Sequence, residues 1–350
     1  MKPLDDAKFS GTKEVDEKLL IHSAKLQPWI DENVPNAGRI KSIEQFKGGQ
    51  SNPTYKISTD MKDLVLRRKP PGKLLPSAHA VDREYKVITA LYETDVPVPK
   101  TYGLCEDDDV AGTAFFVMDF LDGDLFWDPM IPSMTNNDRT EIYKNKNKTL
   151  AKLHSVDYKK IGLDDYGKPG NYVARQVSRW SKQYRASETD NIEAMNNLIE
   201  WLPNNIPDDD ETSIVHGDYR LDNMILKNNK VIGILDWELS TLGHPIADFS
   251  YHCLSWRTQE AFWDQAQLKE LGVPNEIEYM EMYCEHTGKD LSKNWEFYMA
   301  YNMFKIAGIL QGILGRVRDG TAANKHAEER GMLVYPLSDA AWKIIEENLL

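Results

Sequence analysis

The sequence predicts an α+β fold in which a small, sheet-rich region precedes a larger helical one. Two patterns indicate this division. Strand-like apolar runs lie at residues 40–57, 64–66 and 113–118, all within the first third of the chain. Helical periodicity dominates afterwards, over residues 138–154, 174–201, 258–270 and 292–315. At 350 residues, the chain is long enough to form two lobes.

The first region contains two predicted helices as well as strands. Residues 12–33 place apolar side chains on one side at helical spacing, which predicts an amphipathic helix before the first strand. The run at 40–57 is interrupted by Gly48-Gly49, which predicts a turn between two strands. A second helix is expected over residues 78–92, with Ser77 as its N-cap.

A polar connector at residues 119–123 follows the last of these strands and is the candidate hinge. We therefore expect a sheet-rich N-terminal lobe over residues 1–118 and a helical C-terminal lobe over residues 124–350. The chain shows no internal repeat and no low-complexity tract that would indicate another architecture.

The composition is that of an acidic globular enzyme. A net charge of −13 argues against sequence-independent binding of nucleic acid, which requires clustered cations. The three cysteines are far apart and lack zinc-site spacing. The first residues lack the basic-then-apolar pattern of a signal peptide, and the apolar segment at 304–317 is too short and interrupted to span a membrane. The expected location is cytoplasmic, without a membrane or nucleic-acid partner.

The most informative pattern is a polar loop between short apolar strands. Strands at residues 214–215 and 224–226 flank a loop that holds Asp218 and Asn223, and a third strand then ends at Asp236. Phosphoryl transfer requires a carboxylate that orients the acceptor hydroxyl and accepts its proton. It also requires hard oxygen ligands for the metal ion that binds the phosphates.

These residues also carry a family resemblance. The loop and the third strand read His216-Gly217-Asp218-Tyr219-Arg220-Leu221-Asp222-Asn223 and Leu235-Asp236-Trp237-Glu238. Together they resemble the signature of aminoglycoside phosphotransferase-like kinases, a superfamily that includes choline kinases and is distantly similar to protein kinases. The resemblance implies a protein-kinase-like bilobal fold that uses ATP and Mg²⁺. It also implies Asp218 as the catalytic base, with Asn223 and Asp236 as metal ligands.

The resemblance assigns further residues to the nucleotide. Gly48, Gly49 and Ser51 match a turn that covers phosphates. Arg67 matches the cation that contacts the phosphates, with Arg68 as the competing assignment, and strand alternation favours Arg67.

The carboxylate expected to hold this cation is Glu84 on the second helix, and the backbone of Asp119, Phe120 and Leu121 is expected to bind adenine. Structural roles are expected for His154, which ends a helix, and for His216 and Asp248, which brace the loop.

The acceptor is the least determined feature. Four cations, Arg67, Arg68, Lys69 and Lys73, fall within seven residues beside the expected phosphate site. This segment resembles the kinase-like domains fused to acyl-CoA dehydrogenases, which implies a hydroxyacyl-CoA acceptor. An aminoglycoside, a choline-like compound or a sugar is the alternative, and acidic residues at 107–109 and 208–211 are the candidate partners of a cationic acceptor.

Two other functions remain open: an inactive nucleotide-binding module and, least favoured, a protein kinase. Oligomeric state and the choice between ATP and GTP are left undecided.

Overall fold

A computed structural model describes residues 10–48, 51–72, 79–258, 265–322 and 326–350. Its N-terminal part contains one antiparallel sheet with the strand order β1-β2-β3-β4-β6-β5. The elements are β1 (Thr12–Lys13), α1 (Ser23–Asn33), β2 (Ile40–Phe46), β3 (Thr54–Thr59), β4 (Asp63–Arg68), α2 (Val81–Leu91), β5 (Thr101–Cys105), α3 (Asp108–Ala111) and β6 (Phe115–Asp119). The predicted strands on either side of the glycine turn are confirmed.

The sheet is covered on both faces, so alternate side chains of each strand enter different clusters. Leu64 and Leu66 of β4 join the cluster that packs under α1, whereas Val65 joins the large core that also holds α2. The same alternation sends Arg67 and Arg68 to opposite faces. Only Arg67 faces α2 and the C-terminal part of the chain.

The predicted helix at 12–33 is wrong over its first half. Residues Thr12–Lys13 pair with the edge of β2, and a 3-10 turn at Glu17–Leu19 follows before α1 begins at Ser23. The open edge of β2 offers backbone partners that the helical pattern cannot reveal. Leu20, expected on the apolar side, is 52% exposed.

The C-terminal part is mainly helical, as predicted. Its elements are α4 (Asn136–His154), α5 (Tyr172–Ser187), α6 (Glu193–Trp201), β7 (Ser213–Val215), β8 (Met224–Lys227), β9 (Lys230–Ile234), β10 (Thr241–Gly243), α7 (Pro245–Cys253), α8 (Gln265–Leu271), α9 (Glu276–Thr287), α10 (Trp295–Arg318), α11 (Ala327–Gly331) and α12 (Val334–Asn348). Strands β7 and β10 form one small pair, and β8 and β9 form another. Among the described residues, no helix is sufficiently long and apolar to traverse a bilayer.

Two predicted helices differ from the observed ones. The helix expected at 174–201 is divided into α5 and α6, because Ser187 gives its carbonyl to the Gln311 amide on α10 and packs against Gly315. The helix expected at 258–270 is observed as α8, Gln265–Leu271, and residues 259–264 lie outside the described part of the chain, as does the proposed cap Ser77.

Candidate active site

The loop between β7 and β8 is anchored from below by one carboxylate. Asp248 of α7 accepts backbone hydrogen bonds from His216 (2.8 Å) and Gly217 (2.9 Å). His154, at the end of α4, lies 3.2 Å from the same carboxylate. Burial raises the pKa of Asp248, but the hydrogen bond from His154 and the loop contacts outweigh it and hold the pKa below its ordinary value. The geometry agrees with the bracing roles expected for these residues.

Asp218 lies at the tip of this braced loop. The Asn223 amide donates to the Asp218 backbone carbonyl at 2.9 Å and to the carboxylate Oδ2 at 3.2 Å. The second carboxylate oxygen lies 3.2 Å from Arg220 Nε, and Arg220 also pairs with Asp222 at 2.9 Å. The Asp218 side chain is 23% exposed, so an acceptor can reach it.

Strand pairing places Asn223 and Asp236 side by side. Met224 of β8 is opposite Ile234 of β9, and the Leu235 amide donates to the Asn223 carbonyl at 2.8 Å. His216 Nε2 lies 2.9 Å from the Leu235 carbonyl, which holds the catalytic loop against the same strand end. Asp236 itself has a left-handed backbone with φ of 62°. Such conformations are rare for residues other than glycine and concentrate at functional sites.

Arg67 joins the sheet to this cluster. Its guanidinium lies 2.7 Å from the Glu84 carboxylate and 2.7 Å from Asp236 Oδ1. Burial lowers the pKa of Arg67, but the charges of Glu84 and Asp236 outweigh it and leave the pKa raised. Glu84 is itself buried and accepts a 2.7 Å hydrogen bond from Asn52. The expected cation and carboxylate are therefore together, and Asp236 is the third member.

Ser51, which follows the predicted glycine turn, contacts the segment after Asp236. Ser51 Oγ donates to Glu238 Oε1 at 3.1 Å, two residues beyond Asp236. Burial raises the pKa of Glu238, and the neighbouring charge of Asp236 adds to this effect. Gly48 follows β2 and is the last described residue before the predicted turn. Gly49 lies outside the described residues. The contact of Ser51 joins the residue that follows the predicted turn to the segment after Asp236.

The hinge residues have unequal hydrogen-bonding capacity. The backbone N–H of Asp119 donates to Lys100 (2.9 Å), and that of Phe120 donates to Asp63 (3.4 Å). Within the described part of the chain, the Leu121 amide has no backbone acceptor. The side chain of Leu121 packs over Gly233 of β9, where a Cβ would lie 2.1 Å from Leu121 Cδ1. Among the described residues, Leu121 is therefore the hinge residue whose amide remains without a backbone acceptor, beside β9.

The cationic segment after β4 is less available than the sequence suggested. Arg68 is buried against the opposite face, where it donates to Ala111, Leu19 and Tyr55. Arg67 is held by Glu84 and Asp236, and Lys73 lies outside the described residues. The charge of this segment is therefore a weaker argument for an anionic acceptor than its composition implied.

Three residues that sequence reasoning left without a role belong to the cluster. Arg220 pairs with Asp218, Glu238 receives Ser51, and Asn52 fixes Glu84. The spacing Asp-x-Glu and the position of Arg220 inside the loop were visible signals. Nothing local distinguishes Asn52, because its partner Glu84 lies 32 residues away.

The metal-ligand pair fits a divalent ion that is bound together with phosphates. Asn223 uses its amide nitrogen on Asp218, which leaves its side-chain carbonyl oxygen as an acceptor, and its backbone pairs with Leu235, the neighbour of Asp236. In the described residues, no group of three His, Cys, Asp or Glu side chains forms a complete metal cage. Magnesium is commonly bound by one or two protein oxygens, with phosphates and water completing its shell.

Comparison with known proteins identifies the family of the chain. The chain matches the phosphotransferase enzyme family over residues 42–283. It is 45% identical over 305 residues to acyl-CoA dehydrogenase family member 10 of Mus musculus, which covers 85% of this chain and 28% of the relative. The chain spans less than half the length of the curated relatives it matches.

Solved structures show the same fold. A Ralstonia eutropha crystal structure, assigned provisionally to the aminoglycoside phosphotransferases, has 46% identity and a TM-score of 0.86, covering 94% of this chain and 99% of that one. Aminoglycoside phosphotransferase APH(4)-Ia, in complex with ADP and hygromycin B, has a TM-score of 0.60 with 91% and 98% coverage. At 10% identity, that likeness shows the fold alone.

The fold and the cluster around Asp218 therefore define a kinase-like phosphotransferase architecture. The chain belongs to the phosphotransferase enzyme family. The predicted family and the predicted α+β, protein-kinase-like fold are both confirmed.

Proposed function

We propose that this protein transfers the γ-phosphate of ATP to a hydroxyl group of a small molecule, with Mg²⁺ as its metal. The observation that carries the proposal is the single cluster of contacts that joins Asp218, Asn223, Asp236 and Arg67. A base, metal ligands and a phosphate-binding cation are the parts that phosphoryl transfer requires.

The proposed roles follow from the contacts. Asp218 orients the acceptor hydroxyl and takes its proton as the oxygen forms a bond to the γ-phosphorus. The bond from that phosphorus to the bridging oxygen breaks at the same time, and ADP leaves. Arg67, held by Glu84, contacts the phosphates. Magnesium held by Asn223 and Asp236 would neutralise charge on those phosphates when bound.

The acceptor that we propose is a hydroxyacyl-CoA. The relatives that match most of this chain are named as acyl-CoA dehydrogenase family members, and an acyl-CoA is the acceptor that such names favour for a kinase domain within them. An aminoglycoside is the second candidate because it is what similar solved structures are named for. A polycationic acceptor would need carboxylates with spare capacity.

Four of the seven acidic residues considered for a cationic acceptor are already engaged. Asp209 accepts from the Tyr298 hydroxyl at 2.9 Å, Asp210 accepts from the Asn171 amide at 2.8 Å, and Glu211 pairs with Lys289. Asp107 caps the start of α3 by accepting from Asp109 at 2.9 Å. These contacts favour the acyl-CoA over the aminoglycoside.

The test is release of ADP by the purified chain with 3- and 4-hydroxyacyl-CoA, compared with kanamycin, choline and buffer. We expect stimulation by a hydroxyacyl-CoA. Asp218→Asn should lower kcat by roughly 10²- to 10⁴-fold, because the general base is lost, while Mg-ATP still binds. No stimulation by any hydroxyacyl-CoA would exclude that acceptor, and normal turnover in the Asp218 variant would remove the assignment of the base.

A further inference from the structure

Helix α10 carries a lysine that, among the described residues, has no carboxylate partner. Lys305 of α10 is half-buried, and its ammonium lies 4.4 Å from the centre of the Tyr251 ring. Within the described residues, no carboxylate lies within ion-pair distance of this ammonium. A partly buried charge is normally paired, so an unpaired one indicates a missing anion or acceptor oxygen.

Tyr251 connects this lysine to the catalytic loop. It lies three residues after Asp248 on α7, which places both side chains on one face of the helix. Asp248 binds the loop directly at His216 and Gly217. Tyr251 also acts electrostatically on Arg220, the residue paired with Asp218. Lys305 therefore lies against the face of α7 that carries Asp248, within electrostatic range of Asp218.

The charged groups that act on Lys305 belong to the same part of the molecule. Burial lowers the pKa of Lys305, the carboxylates of Asp248 and Asp218 act in the opposite sense, and the charge of Arg179 lowers the pKa further. Arg179 belongs to α5, which approaches α10 closely where Trp180 packs against Gly308. Both Asp248 and Asp218 are engaged by other partners. Lys305 and Arg179 are thus close enough to interact electrostatically, and in the described part of the chain neither forms an ion pair with a carboxylate.

We propose that Lys305 binds an oxygen of the acceptor itself, a carboxylate or acyl carbonyl close to the reacting hydroxyl. The inference rests on the proposed function, because it takes Asp218 as the group that orients the hydroxyl. An ammonium beside that base is suited to a hydroxy acid or hydroxyacyl ester and repels a cationic acceptor. Lys305 is thereby a specificity-determining residue.

The decisive comparison uses two acceptors that differ in one oxygen. One is a 4-hydroxyacyl-CoA, and the other is its thioether analogue, in which CH₂ replaces the carbonyl. Lys305→Met should reduce kcat/KM for the thioester about 10- to 100-fold, the usual effect of losing one charge-assisted hydrogen bond, and should leave the thioether almost unchanged. The KM for ATP should not change. Lys343→Met, on exposed α12, is the matched control.

Other results would overturn the inference. Equal losses on both acceptors, or a rise in the KM for ATP, would assign Lys305 to general structure or to the nucleotide. Lys305→Arg should retain most of the preference for the thioester, which separates charge from folding if the Met variant is unstable. Calorimetry with the acyl-CoA that lacks the hydroxyl tests the same contact without turnover, and wild-type affinity in the Lys305→Met variant would contradict it. An inactive wild type would instead refute the proposed function.

Discussion

At the scale of single residues, the candidate site depends on carboxylates with different surroundings. Asp248 is fully enclosed by loop amides and a histidine, whereas Asp218 and Asp236 remain partly exposed, by 23% and 32% of their side chains. Asp236 is also the one paired with Arg67 across the cleft. Its carboxylate is therefore positioned by the sheet and by its own left-handed backbone together.

The first residue-scale prediction concerns Asp236. Asp236→Asn should weaken Mg-dependent ATP binding roughly 10- to 100-fold, because a charged metal ligand and the partner of Arg67 are lost together. Asparagine tolerates the left-handed backbone, so the fold should be retained. Calorimetric titration with Mg-ATP measures the effect, and Asp122→Asn, an exposed residue paired with Lys227, is the control. Unchanged affinity would contradict the role of Asp236, and the loss should exceed that caused by Asp218→Asn.

At the scale of elements, the catalytic loop depends on a glycine that no other residue can replace without strain. Gly217 has φ of 84°, and a Cβ at this position would lie 2.9 Å from the Leu239 carbonyl oxygen. That oxygen belongs to the backbone and cannot move aside as a flexible side chain can. The glycine therefore permits the loop to pass close to the segment after Asp236.

Gly217→Ala should lower both stability and turnover. The left-handed conformation costs about 1 kcal/mol for alanine, and the backbone contact adds to it while displacing Asp218. Gly162→Ala is a matched control, because Gly162 has φ of 75° but no atom within 4 Å of its Cβ position. The midpoint temperature of thermal unfolding should fall for both variants, whereas kcat should fall only for Gly217→Ala. Equal kcat values in the two variants would show that the close contact does not position the base.

At the scale of the whole molecule, Asp248 links distant parts of the C-terminal region. Through His154 it joins the end of α4, and His154 in turn lies 2.7 Å from the Tyr283 hydroxyl of α9. Its own helix, α7, packs against α10. Removal of one carboxylate should therefore weaken global stability as well as the loop.

Asp248→Asn should lower the free energy of unfolding by roughly 3–5 kcal/mol near neutral pH, because the buried partners of the Asp248 carboxylate lose their charged acceptor. The pKa of Asp248 is below its ordinary value in the fold, so its contribution is complete above pH about 4 and is lost as pH falls through the lowered pKa. Urea unfolding from pH 3 to pH 7 should show the gap to wild type narrowing only at the acid end. Exposed Asp339→Asn is the control, and a gap independent of pH would contradict this linkage.

Much of the site is a local property of the sequence. The loop that holds Asp218 and Asn223 is close in the chain to the strand that ends at Asp236. Hairpin pairing alone therefore brings Asn223 and Asp236 together. Strand alternation also correctly predicted that Arg67 and Arg68 lie on opposite faces of the sheet. Period-two and turn geometry are short-range effects, which is why the sequence by itself determined the fold class and predicted which polar residues the loop brings together.

Only the tertiary structure decided which distant groups meet. Arg67 reaches Asp236 across 169 residues, and Arg68 is taken up by the opposite face of the sheet. The strand at residues 12–13 and the break after α5 depend on partners supplied by β2 and α10. Lys305 lies over Tyr251 because α10 packs against α7. The physical reason is common to all of them: burial and pairing energies come from the neighbours that the fold supplies, and no local pattern contains those neighbours.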